Sequence, residues 1–220
     1  MKKGYTHVAF LLDRSGSMDK IKNDTIGGFN SFIEDQKKDD SKCTFTLAQF
    51  DNLYEVLYDF EDIKKINPLN RTSFSPRGST ALLDALGKLI SDTGKKLSEM
   101  DEKDRPEKVL FIILTDGEEN DSKEYNFDQI SEKINHQEEK YNWKFVYLGA
   151  NQDAIKEAMK FGVKSINTMT YGTSAKAVGA TYITLSKVVT NARGIDVSAY
   201  AAMDTIEDED REAQEKAAGK

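Results

Sequence analysis

The sequence predicts one α/β domain: a doubly wound, mostly parallel sheet with one antiparallel edge strand and helices on both faces. Three observations lead there. Short apolar runs alternate with longer amphipathic segments, which is the βα pattern of a parallel sheet. Two of the runs, Val8–Leu12 and Val109–Leu114, are continuously apolar, as in central strands covered on both faces. Both stop abruptly in a polar turn, Asp13-Arg14-Ser15-Gly16-Ser17 and Thr115-Asp116-Gly117.

The elements follow in order. After the first strand, Ile21, Ile26, Phe29, Phe32 and Ile33 at helical spacing predict a helix over 19–38. Cys43, Phe45 and Leu47 alternate with Thr44, Thr46 and Ala48, so 43–50 reads as a strand. A tight Asp51-Asn52 turn then leads into a second strand over 54–60, giving an antiparallel hairpin. Pro68, Pro76 and Gly78 make 67–79 a loop. Leu82, Leu83, Leu86, Leu89, Ile90 and Leu97 form the apolar face of a helix over about 80–100. Beyond the strand at 109–114 the pattern gives a helix at 127–141 and a strand at 144–148. A helix at 153–161, a last strand at 163–167 and a small-residue helix at 173–192 complete the order. The domain is expected over residues 1–203. Residues 204–220, with seven acidic and three basic side chains, read as a frayed helix or flexible acidic tail.

Composition narrows the function classes. The chain has 220 residues, 31 Lys and Arg against 38 Asp and Glu, and a formal net charge of −7. A hydrophobic content of 38% is that of a globular chain able to bury a core. The absence of a dense basic patch argues against nucleic acid as a partner. No apolar run is long enough for a signal peptide core or a membrane span. The single cysteine, Cys43, forms no intrachain disulfide, so a cytoplasmic location is expected.

The chemistry concentrates in three polar clusters: Asp13-x-Ser15-x-Ser17, Gly78-Ser79-Thr80 and Thr115-Asp116-Gly117. In open parallel sheets ligands bind beyond the carboxyl ends of the strands, where two of these loops fall, and a helix N-terminus can bring the third. Carboxylate and hydroxyl oxygens suit a hard divalent cation, Mg²⁺ first with Mn²⁺ or Ca²⁺ as alternatives, and no His or Cys pair suggests zinc. Capping is the plain alternative, since Asp, Ser and Thr are favoured at helix N-termini and Asp-Gly in turns. Asp13 and Asp116 are the only anions among these donors, and an acidic group from a partner could complete the site.

Asp13-Arg14-Ser15-Gly16-Ser17 with Thr80 and Asp116 resembles the metal-ion-dependent adhesion site of von Willebrand factor type A domains, over roughly residues 5–192. Phe29-Asn30-Ser31-Phe32, residues 76–85 from Pro76 to Ala85, and Leu148-Gly149-Ala150-Asn151-Gln152-Asp153 are similar to small stand-alone bacterial and phage members. The resemblance implies a Rossmann-like fold and a metal held directly by Ser15, Ser17 and Thr80, with Asp13 and Asp116 holding it directly or through waters. It further implies that a partner protein supplies an Asp or Glu carboxylate. The partner's identity and the oligomeric state stay open.

Other residues carry plainer readings. Glu118, Glu119 and Asp121 are expected as a solvated acidic loop, Cys43, His7 and His136 as structural, and Trp143 as packing. The Gly27-Gly28 pair inside a helix implies close packing against a neighbour. Arg14 lies inside the metal loop and Arg71 and Arg77 flank it, and at least one is expected to steer or pair with a partner carboxylate. A metal-dependent interaction module is therefore expected. A phosphatase-like hydrolase would need a general acid where Ser15 stands. A scaffold with a purely structural metal and a working acidic tail is the remaining alternative.

Overall fold

Strand β1 (Lys2–Asp13) sends Val8, Phe10 and Leu12 to one face and Ala9 and Leu11 to the other, all of them buried. This two-sided burial explains its unbroken apolar run. A computed structural model of the protein describes residues 1–150 and 154–219. In it β1 lies between β2 (Cys43–Phe50) and β4 (Pro106–Thr115), parallel to both, with Phe10 opposite Leu47 and Ile112. β3 (Tyr54–Asp62) runs antiparallel to β2. β5 (Lys144–Gly149) and β6 (Thr168–Thr170) extend the other side in parallel. The order β3-β2-β1-β4-β5-β6 is the doubly wound, mostly parallel sheet that the sequence predicts.

One layer packs α1 (Lys22–Lys37) and α5 (Ala175–Gly194) on Val8, Phe10, Phe45 and Ile112. The other packs α2 (Leu82–Glu99), α3 (Phe127–Tyr141) and α4 (Ala154–Lys160) on Leu11, Phe111 and Phe145. Each buried Leu or Phe contributes roughly 1.5–3 kcal/mol by leaving water, so the two layers supply most of the driving force. α1 crosses α5 closely at Gly28, where a β-carbon would lie 2.1 Å from the Tyr182 ring. Gly27, by contrast, faces open space.

His7 is buried, stacks on Phe60 with ring centroids 3.6 Å apart, and shares a 3.0 Å hydrogen bond with Thr44. Burial pushes the Cys43 thiol up to about 12, which leaves it unreactive. Trp143 is buried against Phe111.

Three differences from the sequence reading have clear causes. The first helix opens with a 3₁₀ turn over Gly16–Ile21 before α1 begins. The last strand is Thr168–Thr170 rather than 163–167, because Val163 packs into the α3–α4 layer and Ser165–Asn167 form a 3₁₀ turn. A short helix that the sequence reading does not include, α6 (Val197–Ala202), follows α5, because Asp196 accepts the Ser198 and Ala199 N–H groups; the residues read as a frayed helix or flexible acidic tail include α7 (Asp208–Ala218). α7 docks through polar groups: Arg211 donates to the carbonyls of Ser165, Ile166, Thr168 and Ile206, and Gln214 to Ala177 O and Thr181 Oγ1. The expected helix start at 153 lies outside the described residues. No helix among the described residues is long and apolar enough to cross a membrane.

Candidate metal centre

The sheet order reverses at β1, whose neighbours β2 and β4 are reached by connections running in opposite directions. Such a switch point opens a crevice at the carboxyl ends of the strands. Asp13 ends β1 and Thr115 ends β4, so the two polar turns emerge side by side there.

Asp13 is fully buried, and both of its oxygens are held. Oδ1 accepts the Ser15 N–H at 2.6 Å, and Oδ2 accepts the Thr115 hydroxyl at 2.6 Å. Ser15 Oγ lies 3.1 Å from Ser17 Oγ, which donates to Asp116 Oδ1 at 2.6 Å. The alternation of Ser15 and Ser17 thus brings both hydroxyls to one side of the loop. Thr80 joins them: a β-carbon on Gly117 would lie 3.2 Å from Thr80 Oγ1, 3.5 Å from Ser17 Oγ and 3.9 Å from Ser15 Oγ. Three hydroxyl oxygens therefore surround one small space that glycine leaves open. All five residues singled out in the sequence meet in this crevice, graded from the buried Asp13, Ser15 and Thr80 through the half-buried Asp116 to the exposed Ser17.

The electrostatics match the geometry. Burial pushes the Asp13 carboxyl up to about 6, opposed by its Thr115 and Ser15 hydrogen bonds and reinforced by Asp116. Asp116 is also raised, again chiefly by burial. Two carboxylates held together away from water favour a cation, which would reverse both shifts. Among the described residues no group of three or more His, Cys, Asp or Glu could hold a metal. The donor set is instead three hydroxyls and two carboxylates, hard oxygens that fit a small divalent cation better than a soft one.

Neighbouring residues fix the loops. Thr80 N–H donates to Asn120 Oδ1 at 2.9 Å, and Asn120 N–H returns a 3.0 Å bond to Thr80 O. Gly78 has φ +66°, and Asn52 Oδ1 occupies the place its side chain would take. Asn30 clamps the preceding loop by exchanging hydrogen bonds with the backbone of Leu69 at 2.7 and 3.0 Å. Glu119 is not merely solvated. Its carboxylate accepts the backbone N–H groups of Leu83, Asp121 and Ser122, so it caps α2 from outside, whereas Ser79 donates to Asp121. Capping by Asp13 or Thr80 side chains is not observed, and the turn after β1 has no side-chain cap.

The three arginines near the crevice differ in setting. Arg14 is buried, with Nε 3.0 Å from Asp51 Oδ2 and Nη1 2.6 Å from Glu55, so these two carboxylates enclose it. Arg71 Nε donates to Asn23 on α1. Thr115, Asn120 and Asp51 carried no assigned role in the sequence. Thr115 sits inside a quoted motif, but Asp51 and Asn120 are recognisable only once the loops are in place.

The family model for the von Willebrand factor type A domain matches residues 7–171, which include all five site residues. Among solved structures, the chain is similar to proximal thread matrix protein 1 from the mussel byssus with a zinc-occupied MIDAS motif. That match has 16% identity and a TM-score of 0.57, covering 85% of this chain and 46% of that one. The pilus adhesin SpaC from Lactobacillus rhamnosus GG matches at 13% identity with a TM-score of 0.60, over 85% of this chain and 30% of that one. A von Willebrand factor type A structure from Catenulispora acidiphila matches at 15% identity and 0.54, over 83% and 42%. This chain spans less than half the length of each, and at these identities the likeness establishes the fold alone. No curated protein matches the chain. With three quarters of its length matched by the family model, the chain belongs to the von Willebrand factor type A domain family.

Proposed function

We propose that the protein is a metal-dependent protein-binding module in which Asp13, Ser15, Ser17, Thr80 and Asp116 hold a divalent cation, Mg²⁺ by preference. An Asp or Glu carboxylate of a partner protein completes the site. The observation that carries this reading is the convergence of three hydroxyls on the space beside Gly117, with the buried Asp13 and half-buried Asp116 carboxylates hydrogen-bonded to the same loops. A bound dication would supply an electrophilic point for a carboxylate, and the protein's own part is to fix the five donors and leave a coordination position for the partner.

A binding role suits the site better than hydrolysis. Asp13 is fully buried with both oxygens in hydrogen bonds, so it is not presented as a nucleophile, and Ser15 stands where a general acid would be needed. The test is affinity capture with wild type and Asp13→Ala, each in Mg²⁺ and in EDTA. A protein recovered only by metal-loaded wild type supports the reading. Equal recovery in EDTA contradicts it.

A further inference from the structure

Asp51, just beyond β2, is fully buried and accepts from two guanidinium groups through one oxygen, Arg14 Nε at 3.0 Å and Arg77 Nε at 2.9 Å. Its other oxygen accepts the Leu53 N–H, and its backbone carbonyl accepts the Ala81 N–H. The same two loops are also joined directly, by Arg77 N–H to Arg14 O at 2.8 Å and Gly16 N–H to Gly78 O at 3.1 Å. Arg77 is thereby fixed against the Asp13–Ser17 loop, immediately before Gly78-Ser79 and three residues from Thr80.

The two arginines have different fates. Arg14 is enclosed by Asp51 and Glu55. Arg77 keeps 56% of its side chain exposed, and its Nη1 and Nη2 have no partner among the described residues. A guanidinium pinned at Nε presents its two terminal nitrogens as a fork, the geometry that matches a carboxylate bidentately. Asp51 has already restricted the side chain, so less rotamer freedom remains to be lost on binding.

We infer that Arg77 is a second anchor for the partner, and that the segment recognised carries two acidic residues: one for the cation and one for the Arg77 fork. This rests on the metal-dependent reading above. Asp51 is the positioning residue that aims the fork.

The inference is tested with synthetic glycine-based peptides carrying either one glutamate or two glutamates separated by zero to four glycines. They are titrated into isotope-labelled protein in Mg²⁺ and followed by NMR shifts. Arg77→Ala is expected to leave the affinity for the one-glutamate peptide unchanged. It should weaken the best two-glutamate peptide about fivefold, the upper range for a partly exposed ion pair. Arg77→Lys, which keeps the charge without the fork, should give a smaller loss, and it serves as the second variant if Arg77→Ala melts early. Unchanged two-glutamate affinity in Arg77→Ala, or equal losses for both peptides, overturns the second anchor while leaving the metal reading intact. Failure of every peptide to bind in Mg²⁺, or binding that survives EDTA, overturns the metal reading itself and the inference with it.

Discussion

Thr115 Oγ1 donates a 2.6 Å hydrogen bond to Asp13 Oδ2, joining the ends of the two central parallel strands through the most deeply buried carboxylate of the crevice. The same hydroxyl accepts the Gly117 N–H at 3.2 Å, so one side chain sets both the Asp13 carboxylate and the turn carrying Asp116. Thr115→Val keeps the shape and removes the bond. Groups that orient metal ligands typically affect affinity 10–100-fold, so Mg²⁺ or Mn²⁺ affinity measured by calorimetry is expected to fall by about tenfold or more. An unchanged affinity would show that Asp13 needs no such support.

Gly27 and Gly28 are expected to respond in opposite directions. Gly28→Ala drives a methyl into the Tyr182 ring and should cost about 1–3 kcal/mol as overpacking. Gly27→Ala meets nothing within 4 Å and should gain up to about 1 kcal/mol of helix propensity. Urea unfolding of the two variants checks the sign of each, and similar effects would contradict the α1–α5 crossing described above.

His7 makes the fold acid-sensitive. Burial, with Lys96 adding repulsion, lowers its pKa from 6.5 to about 3 in the folded state. The unfolded chain therefore binds the proton first as pH falls. Stability from this group is complete above about pH 6.5 and is lost progressively toward pH 3, by up to about 1.4 kcal/mol per pH unit. Comparing urea midpoints of wild type and His7→Gln at pH 7.5, 6 and 5 isolates the effect, and wild type is expected to lose more stability over this range. Parallel pH dependence would exclude His7 as the source.

Arg211 ties α7 to the carbonyls of Ser165, Ile166 and Thr168 on the β6 side of the sheet. Arg211→Ala removes the guanidinium that these carbonyls share and should loosen the helix. Hydrogen exchange is expected to quicken across 208–218, while Mg²⁺ affinity at the distant crevice stays unchanged. Loss of metal affinity would instead place α7 in communication with the site.

The sequence made the sheet legible because continuously apolar runs and abrupt polar stops are local features. The five crevice residues were legible for the same reason, each lying at the end of a strong element. What escaped depends on tertiary placement. Asp51-Asn52 carries an ordinary turn signature, and nothing local reveals that Asp51 is buried between Arg14 and Arg77. Arg14 looks like an exposed cation until the hairpin supplies Asp51 and Glu55. The docking of α7 was obscured by its acidity, because it rests on Gln214 and Arg211 hydrogen bonds rather than an apolar stripe.

The central claim is that Asp13, Ser15, Ser17, Thr80 and Asp116 hold a divalent cation. Calorimetric titration of Mg²⁺ or Mn²⁺ into wild type and Asp13→Ala tests it most directly, with thermal melting of both as a control for folding. The account predicts one site per chain in wild type and no measurable binding in a folded Asp13→Ala. Equal binding by the two proteins, or none by wild type, would contradict it.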